Sequence, residues 1–180
     1  MTKLLKKKNK VIALVSVLLF AFLLIGCKKE DTKKCWTNGH CYEAILDQVT
    51  WYEAKAACEN LGGYLVTITS AQENEFVFNL VKDNNAFWYL DAFDNGLGPW
   101  IGGYQEDGAQ EPDGGWRWVT NESFSYTNWE TGQPDNVHGA APNQNCLRFF
   151  KKGGLIGDHW DDSEGINPVE HRLGYICEYE

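Results

Sequence analysis

Residues 129–162 read WETGQPDNVHGAAPNQNCLRFFKKGGLIGDHWDD and contain two short polar motifs on either side of a strand candidate. The motifs are QPD at 133–135 and WDD at 160–162, and the stretch CLRFF at 146–150 is rich in residues that favour β-strands. Glycine and asparagine recur among the remaining positions and a second proline stands at 142, a composition typical of loops. The segment therefore predicts a long loop that returns to a strand, with amide and carboxylate side chains at both ends.

Two helices are predicted ahead of this segment. Thr50 followed by Glu53 forms a capping box, and the glycine pair at 62–63 ends that helix. Ser70 followed by Glu73 forms a second capping box, which opens the second helix. Helices early in the chain and short strands with long loops later make the predicted fold class α+β. The strand candidates are residues 64–68, the surroundings of Trp100, and residues 116–119, 146–150 and 174–179.

The charge distribution argues against nucleic acid as a partner. The chain has a net charge of −9, while residues 1–26 contain five lysines and no acidic residue, so the rest of the chain is more acidic still. Such a surface repels phosphate backbones and attracts cations. Calcium is the first cation to consider.

The N-terminus has the three parts of a secretory signal peptide: a lysine-rich start, a run of apolar residues at 11–25, and a small residue before Cys27. An apolar run of this length makes about 22 Å of helix at ~1.5 Å per residue, short of the ~30 Å hydrocarbon core of a bilayer. The ending LIGC at 24–27 resembles the bacterial lipobox. This resemblance implies that residues 1–26 are removed and that Cys27 is acylated; the alternative is ordinary cleavage with a free or disulfide-bonded Cys27.

A lipidated Cys27 decides the expected location of the protein. Residues 27–34 would comprise the modified cysteine and a charged tether, followed by one folded domain at 35–180. We therefore expect a lipid-anchored, extracytoplasmic protein at a bacterial cell membrane or cell surface.

The six cysteines suit an oxidising compartment. Without Cys27 five remain, so one has no intramolecular partner, and the sequence alone leaves several pairings open. A bridge between Cys35 and Cys41 would close a small hairpin. A bridge between Cys58 and Cys177 would join the two ends of the domain.

Short motifs in a fixed order run through residues 35–180: CY at 41–42, GYL at 63–65, WIGG at 100–103, QPD at 133–135, WDD at 160–162 and YICE at 175–178. In this order they resemble a long-form C-type lectin-like domain. The resemblance implies two helices flanking short antiparallel sheets with a long loop region. It also implies the disulfides Cys35–Cys41 and Cys58–Cys177, which leave Cys146 unpaired. We interpret Cys146 as a buried inert thiol; the alternative is a reactive or intermolecular thiol.

Six of the eight tryptophans lie between Trp88 and Trp160, where regular structure is scarce, and we expect them to pack in the core.

The same resemblance implies a calcium site with a cis peptide bond before Pro134. Calcium prefers six to eight oxygen ligands of the kind that amide and carboxylate side chains supply. The alternative interpretation is a solvated acidic loop. Compared with the usual sugar-binding pattern, a glutamine replaces glutamate at 144 and an aspartate replaces asparagine at 161, so galactose-type and mannose-type binding both stay open. The expected calcium ligands are Gln133, Asp135, Gln144, Asp161 and Asp162, and all except Asp162 are also expected to contact sugar.

The sequence thus favours a calcium-dependent carbohydrate-binding protein. The main alternative is a protein-binding adhesin or receptor with the same fold, and ice or surface binding is a further one. No enzyme is expected, because a carboxylate pair such as Asp158 and Asp161 would be held ionised by calcium and no Ser-His-Asp set is present. The four histidines lack the spacing of zinc ligands; they are His40, His138, His159 and His171.

Overall fold

The computed structural model describes residues 32–137, 143–166 and 173–180. The signal peptide, Cys27, His138 and His171 lie outside these ranges. Within the described ranges, neither helix is long and apolar enough to cross a bilayer. The helices are α1 (Trp51–Asn60) and α2 (Ala71–Asn79), and the strands are β1 (Lys34–Cys35), β2 (Cys41–Val49), β3 (Tyr64–Leu65), β4 (Tyr89–Leu90), β5 (Gly96–Gln105), β6 (Trp116–Trp118), β7 (Cys146–Lys151), β8 (His159–Ser163) and β9 (Leu173–Tyr179).

Helix α1 begins at the predicted capping box. The Thr50 hydroxyl accepts a hydrogen bond from the Glu53 amide at 3.3 Å, and the Glu53 carboxylate accepts one from the Thr50 amide at 2.9 Å. The helix ends at Asn60 with Leu61 as its C-cap, and Gly62 follows with φ +81°, a conformation that favours glycine. Both ends of α1 are therefore confirmed.

The second capping box is only half formed. The Ser70 hydroxyl accepts from the Glu73 amide at 3.2 Å, but the Glu73 carboxylate accepts from the Thr69 amide at 2.8 Å and from the Tyr42 hydroxyl at 2.7 Å. Glu73 is buried, and a buried carboxylate is stable only when several donors surround it. Tyr42 on β2 provides such a donor, so Glu73 connects α2 to the sheet instead of closing its own helix.

The strands form one twisted sheet that brings the two ends of the domain together. The main strand order is β1-β2-β9-β5-β7-β8; β3 pairs with β9, and β4 and β6 pair with β5. All pairs are antiparallel except β5 with β9. The α+β class is confirmed. The strand predicted at 64–68 was too long, because only Tyr64 and Leu65 pair with β9. Strands β1, β2, β4 and β8 were not predicted.

The disulfides Cys35–Cys41 and Cys58–Cys177 are present, and Cys146 is a free, buried cysteine. Burial raises the pKa of the Cys146 thiol well above its ordinary value, which favours the inert interpretation. Five of the six tryptophans between Trp88 and Trp160 are buried, and Trp129 is partly buried and packs against the core. Trp100, Trp118 and Trp160 are fully buried.

The contact between His40 and Glu178 predicts a pH-dependent stability. His40 Nδ1 lies 2.5 Å from Glu178 Oε1; this hydrogen bond raises the pKa of His40 above its ordinary 6.5, and burial raises the pKa of Glu178. The folded chain therefore holds more protons than the unfolded chain near neutral pH, so the free energy of unfolding falls as pH rises from 6.5 through the folded pKa of His40. Thermal melts across this range should show a slope that His40→Gln and Glu178→Gln both flatten. An unchanged slope in His40→Gln would contradict the assignment.

Candidate functional site

Trp160 fixes the position of β8. Its ring is fully buried, its Nε1 donates to Asn74 Oδ1 at 2.8 Å, and the Trp118 ring packs edge-on against it at 5.5 Å. Its backbone amide donates to Asn128 O at 2.8 Å, and its carbonyl accepts from the Glu130 amide at 2.9 Å. The chain that leads into the QPD motif therefore runs beside β8.

Asp162 holds the loop that carries the QPD motif. Its two carboxylate oxygens accept from the backbone amides of Asp135 at 3.0 Å and Asn136 at 2.7 Å. Asn136 Oδ1 in turn accepts from the Gln144 amide at 2.9 Å. Burial raises the pKa of Asp162 to about 7, although these two amides favour the ionised form. Asp162 thus positions the residues around it through their backbone.

Four of the five predicted calcium ligands line one pocket of about 260 Å³, which we call the amide pocket. They are Gln133, Asp135, Gln144 and Asp161; Asp162 is not part of the lining. The Gln133–Pro134 peptide bond is cis, as the resemblance implied. The lining also includes residues that were not expected here: Asp91, Phe93 and Asn95 from the turn between β4 and β5, and Arg148, Phe150 and Lys152 from β7 and its end.

Arg148 forms a buried ion pair with Asp161. The two residues are partners in the β7–β8 register, and their side chains are each 5% exposed. Arg148 Nε lies 3.0 Å from Asp161 Oδ2, and its terminal nitrogen lies 2.6 Å from the same oxygen. Burial raises the pKa of Asp161, and the guanidinium opposes that rise. Asp135, Asp161 and Asp162 were all expected to attract calcium, but Arg148 compensates the charge of Asp161, and Asp162 accepts hydrogen bonds from the loop.

The pocket contains two buried hydrogen-bond acceptors without a donor. Gln144 is 4% exposed, and the Oε1 atoms of Gln133 and Gln144 are both buried and have no hydrogen-bond partner among the described residues. Most buried polar atoms in folded proteins are paired, so an unpaired acceptor marks a place for a ligand, an ion or water. Here two such acceptors line the same pocket.

The side-chain oxygen atoms that line the pocket are of the types that bind calcium. Gln133 and Gln144 offer amide oxygens and Asp135 and Asp161 offer carboxylates, and calcium binds such oxygens. In the described part of the chain, no group of three or more His, Cys, Asp or Glu side chains could hold a metal ion. Calcium would therefore depend on the two glutamines, and the positive charge of Arg148 would oppose it.

Comparison with known proteins gives one family. Residues 47–179 match the Lectin C-type domain family. The perlucin-like protein of Mytilus galloprovincialis is 32% identical over 169 residues, which are 88% of this chain and 93% of that protein. The C-type carbohydrate-recognition domain of cow CD23, crystallised with a GlcNAc2Man3 oligosaccharide, superposes with a TM-score of 0.58 at 24% identity, covering 82% of this chain and 92% of that one. A calcium-independent type II antifreeze protein superposes with a TM-score of 0.59 at 22% identity, covering 82% and 91%.

Removing Arg148 tests the buried ion pair. Arg148→Met leaves the Asp161 carboxylate buried without a counter-charge, which should lower the free energy of unfolding by about 3–5 kcal/mol. Arg148→Met combined with Asp161→Asn should recover part of this loss, because a buried amide costs less than a buried carboxylate. Denaturant melts would measure both.

The exposed pair Arg117 and Glu106 supplies the control. Arg117→Met should leave the denaturation midpoint almost unchanged, since exposed ion pairs contribute little. Equal midpoints for Arg148→Met and the wild type would show that the buried pair has no net role.

Proposed function

The chain belongs to the Lectin C-type domain family, and we propose that it is a carbohydrate-binding protein whose binding site is the amide pocket. Members of this family are generally binding proteins, and we assign no catalytic role to the carboxylates of the pocket. The proposal concerns how this chain's own side chains would hold a sugar.

The two unpaired glutamine oxygens carry the proposal. A sugar hydroxyl group both donates and accepts hydrogen bonds, so it can donate to Gln133 Oε1 or Gln144 Oε1. The amide nitrogens of the same side chains can donate to a neighbouring hydroxyl. Asp135 and Asp161 add acceptors at the same pocket. A pocket with a few fixed polar groups of this kind selects a ligand by the positions of its hydroxyls, because a wrong isomer leaves buried polar atoms unpaired.

Calcium is part of the proposal. Gln133, Asp135, Gln144 and Asp161 would hold the ion, which would supply a positive centre for the oxygen atoms of two sugar hydroxyls. Asp162 would act indirectly, because it holds the backbone of Asp135 and Asn136 in place. Since Arg148 shares Asp161, we expect a lower calcium affinity than three uncompensated carboxylates would give.

The proposed location is the outer face of a bacterial membrane. The basis is the signal-peptide pattern at 1–26 and the lipobox-like ending before Cys27. Acyl chains on Cys27 would anchor the protein, each buried CH₂ adding about 0.8 kcal/mol. The tether at 28–34 is short enough to keep the domain near the membrane surface, where its ligand would be a glycan or polysaccharide outside the cell.

The pocket is tested by calcium, chelator and a glycan array. Calcium should raise the melting temperature, since a ligand at a hundredfold excess over its Kd stabilises the folded state by about 2.7 kcal/mol. Gln144→Met removes the amide and keeps the length of the side chain; it should weaken glycan binding about fivefold to tenfold and reduce the calcium shift. Gln72→Met on the exposed surface of α2 is the matched control.

The outcomes separate the candidate functions. A glycan signal that chelator abolishes supports calcium-dependent binding, and a signal that survives chelator shows sugar binding without the ion. A folded domain that stays silent on all glycans would contradict the proposal and favour a protein or surface partner.

Lipidation is tested separately. Mass spectrometry of the mature protein should find an acylated Cys27 at its N-terminus, and Cys27→Ser should shift the protein from the membrane fraction to the soluble fraction. Lys29→Ser is the control and should stay with the membrane. A mature protein with an unmodified N-terminus, or one that begins at another residue, would refute lipid anchoring through Cys27.

A further inference from the structure

An exposed aromatic ring stands at the rim of the amide pocket. Phe93 lines the pocket and its side chain is 81% exposed. Val137, from the loop that follows the QPD motif, also lines the pocket and is 71% exposed. Single exposed apolar residues are common on protein surfaces and need no explanation by themselves. Two of them, from separate segments, beside a pocket with unpaired acceptors form a more specific arrangement.

The turn that presents Phe93 is held by a network of hydrogen bonds. Asp91 Oδ1 accepts from the amides of Phe93 and Asn95, both at 2.8 Å, and Asp91 Oδ2 accepts from Asn95 Nδ2 at 3.1 Å. The Asp91 amide donates to Asn95 O at 2.9 Å, and Asp94 has φ +61°. The backbone under Phe93 is thus ordered before any ligand arrives, which lowers the entropic cost of binding.

The same turn is fixed to the connection between β7 and β8. The Gly153 amide donates to Asn95 Oδ1 at 3.1 Å, and Asn95 pairs with Gly154 in a β-bridge. Gly96 lies so close to the backbone of Leu155 that a Cβ atom on Gly96 would be 1.9 Å from Leu155 O. These contacts set the position of Phe93 relative to β7, which supplies Arg148 to the pocket.

We propose that Phe93 is a stacking surface for a pyranose ring whose hydroxyl groups bind in the amide pocket, an inference that rests on the proposed function. A pyranose has a polar edge of hydroxyls and a face of C–H groups. The face of an aromatic ring carries partial negative charge and attracts such C–H groups, while the contact removes apolar surface from water. Phe93 therefore selects sugars with an unobstructed C–H face, and the amide pocket forms hydrogen bonds with their hydroxyl groups.

Ring substitutions at Phe93 test the inference on the glycan that binds the wild type most strongly in the array. Phe93→Ala should raise the Kd about tenfold, Phe93→Leu should have an intermediate effect, and Phe93→Trp should bind at least as tightly as the wild type. Protons on the stacked face of the bound sugar should shift upfield in NMR spectra, and this shift should vanish in Phe93→Leu. Calcium affinity and melting temperature should stay unchanged in all three variants, because Phe93 is exposed and offers no ligand atom.

Ile166→Ala is the matched control: Ile166 is 70% exposed and does not line the pocket. Unchanged glycan affinity in Phe93→Ala, together with a loss in Gln144→Met, would overturn the stacking role and leave the proposed function intact. A wild type that binds no glycan at all would overturn both. A wild type that binds glycan without the upfield shift would overturn the stacking geometry alone.

Discussion

The burial of Trp160 is the constraint on which the rest of the site depends. The indole fills the centre of an aromatic cluster that includes Trp118, Tyr126 and Trp129, and its Nε1 is bonded to Asn74 on α2. Because side chains alternate along a strand, fixing Trp160 also fixes Asp161 and Asp162 on opposite faces of β8. Asp161 then forms an ion pair with Arg148 on the neighbouring strand, and Asp162 accepts hydrogen bonds from the backbone of the loop that carries the QPD motif.

Buried charge in this domain is used mainly to connect distant segments. Glu73 joins α2 to β2 through the Tyr42 hydroxyl, and Glu178 on β9 joins His40 to the Thr67 amide. Asp162 joins β8 to the QPD loop in the same way. Each of these carboxylates is surrounded by donors, as the cost of burying a charge requires. The Oε1 atoms of Gln133 and Gln144 have no such donors among the described residues, and this contrast is why we place the ligand there.

The scaffold and the ligand site are specified by different parts of the chain. The sheet, both helices and the disulfide between Cys58 and Cys177 form the scaffold. The proposed ligand site depends on side chains of the turn at 91–95, of the loop at 133–137, of Gln144, of β7 and of Asp161 on β8. A fold therefore restricts where a ligand can bind, and local side chains decide which ligand it is.

The sequence by itself determined the fold class, the first helix with both of its ends, the two disulfides through the family resemblance, and four residues of the pocket. These depend on local signals, such as the Thr50–Glu53 capping box, or on motifs with fixed spacing. Strands β1, β2, β4 and β8 were not predicted. Strand β8 is polar except for Trp160 and becomes a strand only by pairing with β7. The role of Glu73 was predicted only in part, since its second partner lies on a strand distant in sequence. The Arg148–Asp161 pair, the loop-holding role of Asp162 and the position of Phe93 were decided by tertiary structure alone. Each depends on strand register or on a turn packed against another segment, and neither can be read from spacing along the chain.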